Sequence, residues 1–111
     1  MSAGPVEKLV YATLLASLKK QAKRIRLRGD ETTFTVHFEI DGILVEEMTP
    51  PVMLRDPVFQ RITTMAGQLA PIDGGARGHI HLLLGDAGRE VDFQVDLLRD
   101  GSARICEIRR V

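Results

Sequence analysis

Histidine is the residue type in this sequence best suited to metal binding or to proton exchange near neutral pH. His79 and His81 are two residues apart, so they share one face of any strand that contains them, and His37 lies in a separate alternating segment. Neither a cysteine nor a carboxylate stands beside them at a spacing typical of zinc sites. We therefore expect solvated histidines on sheet faces, with no metal and no other cofactor.

A glycine-rich segment over residues 73–78 could cradle a phosphate group through successive backbone N–H groups. Arg24 and Arg28, four residues apart, could supply guanidinium groups to the same ligand. A nucleotide site would combine these two arginines with Asp73, Gly75 and Gly78. The other interpretation, which we favour, is a turn-rich loop that connects two elements.

Cys106 is the only cysteine, which excludes an internal disulfide and favours a reducing compartment. It has no neighbouring base in the sequence, so we expect a buried or half-buried thiol rather than a nucleophile. The N-terminal residues lack the pattern of a signal peptide, and no apolar stretch approaches the roughly 20 residues that span a bilayer. These features predict a cytoplasmic protein.

The balance of charge limits the classes of partner. Lysine and arginine together number 15, as do aspartate and glutamate, so no net charge draws the chain to nucleic acid or to an anionic membrane. A basic stretch over residues 19–28 precedes an acidic stretch over residues 30–47, and few aromatic residues accompany the basic stretch. We interpret the basic stretch as a solvated helix end followed by an edge strand. Nucleic acid and membrane insertion are therefore not expected.

The first half of the chain is typical of one helix followed by three strands. Apolar residues at spacings of three and four, with a proline at the start, predict a helix over residues 5–23. A short strand over residues 25–28 follows, and strict apolar–polar alternation predicts another over residues 33–40. Asp41-Gly42 suits a two-residue hairpin turn into a strand over residues 43–48.

The second half repeats this order. A helical pattern begins near residue 56 and continues to residue 69, before the glycine-rich segment. Strands are expected over residues 79–84, 91–97 and 103–109, with a turn at residues 85–88. The chain is therefore predicted to be α+β, with two α-β-β-β units and two helices packed on one antiparallel sheet. We expect a disordered tail at residues 1–4 and a single domain over residues 5–111.

Several short motifs stand in a fixed order along residues 6–109. They are Gln21-Ala22-Lys23-Arg24-Ile25-Arg26, Phe34-Thr35-Val36-His37-Phe38-Glu39-Ile40-Asp41-Gly42-Ile43-Leu44, Pro50-Pro51, Arg61-Ile62-Thr63-Thr64-Met65-Ala66, Ala76-Arg77-Gly78-His79-Ile80 and Val91-Asp92-Phe93-Gln94-Val95-Asp96. In this order they resemble the domain that precedes the catalytic domain in type II secretion and type IV pilus assembly ATPases. The resemblance implies a PAS-like scaffold that packs against a neighbouring catalytic domain.

Departures from the family pattern affect its nucleotide contacts. In the family, arginines on the strand before Asp-Gly and in an Arg-Val-Ser strand face the nucleotide; this sequence has Thr35, His37, Glu39 and Gln94 there. The Gly-x-x-x-x-Gly-Lys-Ser/Thr loop of the catalytic domain is absent, so no ATP hydrolysis is expected. The resemblance thus implies a non-catalytic interaction domain for a secretion or pilus component. Its expected partner-binding residues are Thr35, His37, Glu39, Gln94 and Asp96.

A second hypothesis is a nucleotide sensor. Residues 73–78 resemble the Asp-x-Ser-x-x-Gly motif of PilZ domains, which bind cyclic di-GMP, and Arg24 and Arg28 resemble the Arg-x-x-x-Arg of that family. Gly75 stands where that family has its serine, and the helix between the motifs does not fit a PilZ barrel. Cyclic di-GMP or ATP would be the ligand under this hypothesis. The sequence leaves a homo-oligomer open.

Overall fold

The computed structural model describes residues 4–84, 86 and 88–111. Most of the predicted tail at residues 1–4 lies outside this range, as do two residues of the predicted turn at residues 85–88. Two helices, seven strands and one short 3₁₀ turn are present in the described chain. In chain order they are α1 (Pro5–Lys19), β1 (Arg24–Gly29), β2 (Phe34–Ile40), β3 (Ile43–Met48), the 3₁₀ turn (Val52–Leu54), α2 (Arg55–Ala66), β4 (Ala70–Ile72), β5 (Gly75–Leu84), β6 (Arg89–Asp100) and β7 (Ala103–Arg110).

The strands form one antiparallel sheet in the order β3-β2-β1-β7-β6-β5-β4. Each unit contributes a meander of hairpin-connected neighbours, and the first and last strands pair in the middle. The prediction of an edge strand in the basic stretch is therefore wrong, because the last strand of the chain pairs with β1 and makes it internal. The predicted α+β class and antiparallel sheet are confirmed. The second unit differs from the prediction because it contains a fourth, three-residue strand, β4.

The alternation of apolar and polar residues along β2 matches an alternation in burial, with the apolar side chains on the buried side of the sheet. Phe34, Val36 and Phe38 are at most 2% exposed, whereas the residues between them are half-buried. The Asp41-Gly42 turn that follows has φ of 52° and 79°, the positive values that a two-residue hairpin with this twist requires. This turn and the strand after it are as predicted.

Both helices pack on the same side of the sheet and enclose its core. The buried residues of α2, including Phe59 and Ile62, join those of α1 and the strands in one apolar cluster. The rings of Phe59 and Phe34 lie 6.0 Å apart at an interplanar angle of 40°. Burial of these side chains is the main contribution to the stability of the fold.

Helix α1 ends at Lys19, four residues before the predicted end. Gln21 adopts a φ of 55°, and the Ala22 N–H donates to the Ser17 carbonyl at 2.9 Å, a geometry that closes a helix. The Lys23 N–H then donates to the Glu39 carbonyl, so the chain has already joined the sheet. The predicted helix was too long because the apolar spacing continues from Leu18 to Ala22, beyond this reversal.

The glycine-rich segment is not the loop that the sequence predicts. Asp73 and Gly74 make a tight turn, with φ of 81° at the glycine, and residues 75–78 already belong to β5. Gly78 lies beneath α2, where an added Cβ would stand 2.8 Å from Leu69 Cδ2 and 2.9 Å from Ala66 Cβ. Glycine is therefore required at this position for close helix–sheet packing.

The two edges of the sheet differ. Strand β4 has three residues and contains Pro71, which limits pairing with another strand. Strand β3 carries Ile43 and Val45, 65% and 43% exposed, on the helix side of the sheet but beyond the helices.

Among the described residues, no helix is both long enough and apolar enough to cross a membrane.

Candidate interaction face

The residues predicted to bind a partner lie on one side of the sheet. They are Thr35, His37, Glu39, Gln94 and Asp96. They alternate with buried residues such as Phe38 in β2 and Val95 in β6, both 0% exposed, which contact the core beneath the helices. We call the side opposite the helices the open face. Because β1 and β7 separate β2 from β6, the predicted residues form two groups on this face.

Strand register aligns a row of charged and polar side chains across six strands of the open face. From β3 to β5 the row contains Glu46, His37, Arg26, Glu107, Asp96 and Arg77. Directly opposite side chains of unlike charge attract in such a row, and those of like charge repel. Glu107 and Asp96 are directly opposite each other. Each of these two carboxylates has an arginine on its other side.

Arg24 links the first group to the centre of the sheet. Its Nη2 donates to Glu39 Oε1 at 2.8 Å, and its Nη1 lies 3.1 Å from Glu107 Oε2. The two carboxylate side chains are only 23% and 19% exposed. The Arg24 guanidinium is therefore held between two carboxylates of the protein. Their negative charge reduces its attraction for any external anion.

Arg77 and Asp96 form the other strong pair of this face. Arg77 donates from Nε and Nη2 to the two carboxylate oxygens at 2.7 and 3.0 Å. These hydrogen bonds hold the pKa of Asp96 below its ordinary value, against the opposing effect of burial. The same bonds raise the pKa of Arg77. The pair stays ionised near neutral pH.

The three histidines all lie on the open face, but they do not converge. His37 is on β2 and His79 is on β5, four interstrand spacings away, or about 19 Å at roughly 4.8 Å each. His81 contacts Asp92 instead, with 2.6 Å between Nδ1 and Oδ1, and this hydrogen bond raises the pKa of His81. Residues 4–84, 86 and 88–111 contain no group of three potential ligands placed to hold a metal.

The residues of the alternative nucleotide site are spread over the sheet. Arg24 and Arg28 are on β1, and Gly75 is at the start of β5, with β7 and β6 between the two strands. Three interstrand spacings, about 14 Å, separate Arg28 from Gly75 along one row. Asp73 belongs to the turn beyond Gly75. Gly78 faces the helices, on the side away from Arg24 and Arg28.

Sequence comparison identifies relatives among assembly ATPases. A type IV pilus assembly ATPase of Myxococcus xanthus, PilB, is 37% identical over 98 residues, which are 84% of this chain. The type II secretion system ATPase E of Vibrio cholerae is 32% identical over 95 residues, or 85% of this chain. A putative type II secretion system protein E of Escherichia coli is 33% identical over 98 residues, or 87% of this chain. No protein-family model matches the chain.

The chain matches a short N-terminal segment of type II secretion and type IV pilus assembly ATPases. The predicted resemblance is thereby confirmed. The matched segments make up 16%, 18% and 20% of these three relatives. The match therefore concerns a small part of each ATPase.

On the open face, the residues that the sequence did not indicate are the partners of the predicted ones. Arg26, Glu107 and Arg77 complete the charged row. Arg77 meets Asp96 across the β5–β6 hairpin, but the contact of Arg26 with Glu107 depends on β1 pairing with β7, residues more than 70 positions apart. The period-two pattern of each strand was the available signal for the face. It could not reveal that β1 and β7 are neighbours.

Cys106 is fully buried at 0% exposure, as predicted for a structural thiol. Burial raises the pKa of the thiol well above its ordinary value. A thiol in this state is a poor nucleophile. Cys106 therefore belongs to the core of the domain and not to its open face.

Proposed function

We propose that this chain is a non-catalytic interaction domain whose open face binds a protein partner in a secretion or pilus machine. The observation that carries the proposal is the arrangement of charge on that face. Arg24 is held between Glu39 and Glu107, and Arg77 forms a bidentate pair with Asp96. A surface of paired, half-buried charges suits recognition of another protein better than capture of a free triphosphate.

A non-catalytic role is supported by what the sequence contains. It has no Gly-x-x-x-x-Gly-Lys-Ser/Thr loop, and it corresponds to less than a quarter of the relatives it matches. At the positions where the resemblance implies nucleotide-facing arginines, the side chains are Thr35, His37, Glu39 and Gln94. Glu39 adds a negative charge and also neutralises Arg24.

The partner we expect is a catalytic ATPase domain or another protein of the same machine. The resemblance implies that the module packs against a neighbouring catalytic domain. Rows of charge on the open face would select that surface through electrostatic complementarity, while His37 and Gln94 remain to make direct contacts. The interface would need to bury about 1,000 Å² or more to be stable.

Site-specific photo-crosslinking in the native organism tests this proposal. A photoreactive amino acid is placed at His37, at Gln94, or at the control position Lys8, which is exposed on α1. We expect adducts from His37 and Gln94, and not from Lys8, with a secretion or pilus protein identified by mass spectrometry. Equal adducts from all three positions, or adducts only with proteins of other systems, would contradict the proposal.

A further inference from the structure

Basic side chains concentrate at one end of the sheet, where α1 stops, β1 begins and β7 ends. We call this surface the basic end; it consists of Lys23, Arg89, Arg109 and Arg110, all exposed. None of the four forms an ion pair with another described residue. Since the chain has equal numbers of acidic and basic residues, this concentration is local and not a consequence of overall charge.

The basic end contains two neighbouring depressions. The larger, of about 480 Å³, is lined by Lys23, Arg89 and Arg110 together with Leu18, Gln21 and Ala22 at the end of α1. The smaller, of about 340 Å³, is lined by Lys23, Arg24, Arg109, Arg110 and Glu39. Lys23 and Arg110 line both depressions. The two depressions therefore form one concave surface, which extends onto the open face at Arg24 and Arg109.

The position of Arg109 indicates that its charge is only partly compensated. Arg109 stands directly opposite Arg24 across β1 and β7, an arrangement of like charges that destabilises a sheet. Arg24 is balanced by Glu39 and Glu107, whereas Arg109 forms no direct ion pair with a described residue, and its charge acts only at longer range on Asp96, whose pKa it lowers. An external anion at this place would remove the repulsion.

The backbone around the depressions indicates which kind of anion fits. The N–H groups of Lys20, Gln21, Ala22 and Lys23 all donate to carbonyl oxygens of the protein, so none of them is free to cradle a phosphate. The C-terminal end of α1, which carries partial negative charge, also adjoins the larger depression. Both features disfavour a compact, multiply charged phosphate. Long cationic side chains spread over two depressions suit separate carboxylates instead.

We propose that the basic end binds an acidic segment of a protein partner, whose aspartate and glutamate side chains pair with its lysine and arginines. Arg109 lies on the open face as well, so an acidic segment could continue from a partner seated there. The inference extends the proposed function by naming the chemistry of the partner. It does not depend on the partner coming from a secretion or pilus machine.

Fluorescence anisotropy with a labelled peptide of six glutamates tests the inference. The variant Lys23→Gln/Arg110→Gln is compared with Lys8→Gln/Arg99→Gln, which removes the same charge at exposed positions away from the basic end. We expect the first variant to weaken binding roughly tenfold or more and the second by about twofold or less. Binding should also weaken as salt is added. Equal losses in the two variants would overturn the inference.

Two further titrations distinguish an acidic peptide from a free phosphate and from an anionic lipid surface. Inorganic pyrophosphate and phosphatidylserine vesicles are titrated against the unmodified protein, and tighter binding of either than of the peptide would overturn the inference.

A ¹H–¹⁵N NMR titration with the peptide needs no substitution and so does not depend on the variants folding. Shifts centred on Lys23, Arg89 and Arg110 support the inference, and shifts centred elsewhere overturn it. Failure of crosslinking at His37 and Gln94 would leave these results unaffected.

Discussion

The two faces of the sheet are built from the same strands but differ in burial and in chemistry. On the helix side, Phe38 and Val95 are completely buried and pack with apolar neighbours. On the open face, one residue away along each strand, His37 and Asp96 belong to rows of charged and polar groups. Burial of apolar area stabilises the first face, whereas exposed ion pairs contribute little. Substitutions of polar residues on the open face should therefore leave the fold intact, whereas substitutions of core residues on the helix side should not.

The largest contrast between the faces is expected within β2. Phe38→Ala removes a fully buried ring and should lower the free energy of unfolding by about 3–5 kcal/mol, because it loses apolar burial and leaves a cavity. His37→Ala, on the open face, should change the free energy of unfolding by about 0.5 kcal/mol or less. Urea denaturation of both variants measures the difference. Similar losses in the two variants would mean that the faces are not energetically distinct.

Gly78 provides the next largest effect. Gly78→Ala places a Cβ within 3.0 Å of Leu69 and Ala66, so we expect the free energy of unfolding to fall by about 1–3 kcal/mol. Gly4→Ala, where nothing lies within 4 Å of the added Cβ, is the control and should be nearly neutral. Thermal and urea denaturation measure both. An unchanged stability for Gly78→Ala would contradict a packing role for this glycine.

A smaller effect is expected from the pair between Arg77 and Asp96. The folded-state pKa of Asp96 lies below its ordinary value, so its contribution is present above the unfolded-state pKa of about 3.9 and is lost as pH falls through the folded-state pKa. Asp96→Asn should lower the free energy of unfolding by roughly 0.5–1 kcal/mol at pH 7, and by less as the pH falls below about 4. Urea denaturation of both proteins between about pH 3 and about pH 7 measures the change in this difference. A pH-independent difference would contradict the ionic origin.

The smallest effect concerns His81, which is exposed on the open face. Its pKa is raised by the hydrogen bond to Asp92, so any stabilisation is present below the unfolded-state pKa of about 6.5 and is lost as pH rises through the folded-state pKa. Asp92→Asn should return the pKa of His81 towards its ordinary value. An NMR titration of the His81 ring in both proteins measures the change. An unaltered pKa would show that Asp92 does not hold the imidazolium.

Much of the helix side could be predicted from the sequence because its signals are local. The alternation from Phe34 to Phe38 and the Asp41-Gly42 turn each depend on a few adjacent residues. The same alternation placed the five partner-binding candidates on one face. The end of α1 and the start of β5 were missed because a backbone reversal at Gln21 and a tight turn at Gly74 override the side-chain pattern.

The contacts at the centre of the open face could not be predicted in the same way. The ion pairs of Glu107 with Arg24 and Arg26 depend on β1 and β7 lying side by side, and this pairing depends on tertiary packing that no short segment contains. The sequence therefore indicated Arg24 as a candidate phosphate ligand, whereas in the fold it is held between Glu39 and Glu107. The basic end likewise combines residues from three distant parts of the chain.

Calorimetric titration with ATP and with cyclic di-GMP tests most directly whether the open face has become a surface for proteins rather than for phosphates. We expect no measurable heat of binding with either nucleotide at micromolar concentrations, for the unmodified protein and for Arg28→Ala alike. Micromolar binding of either nucleotide that disappears in Arg28→Ala would contradict the account.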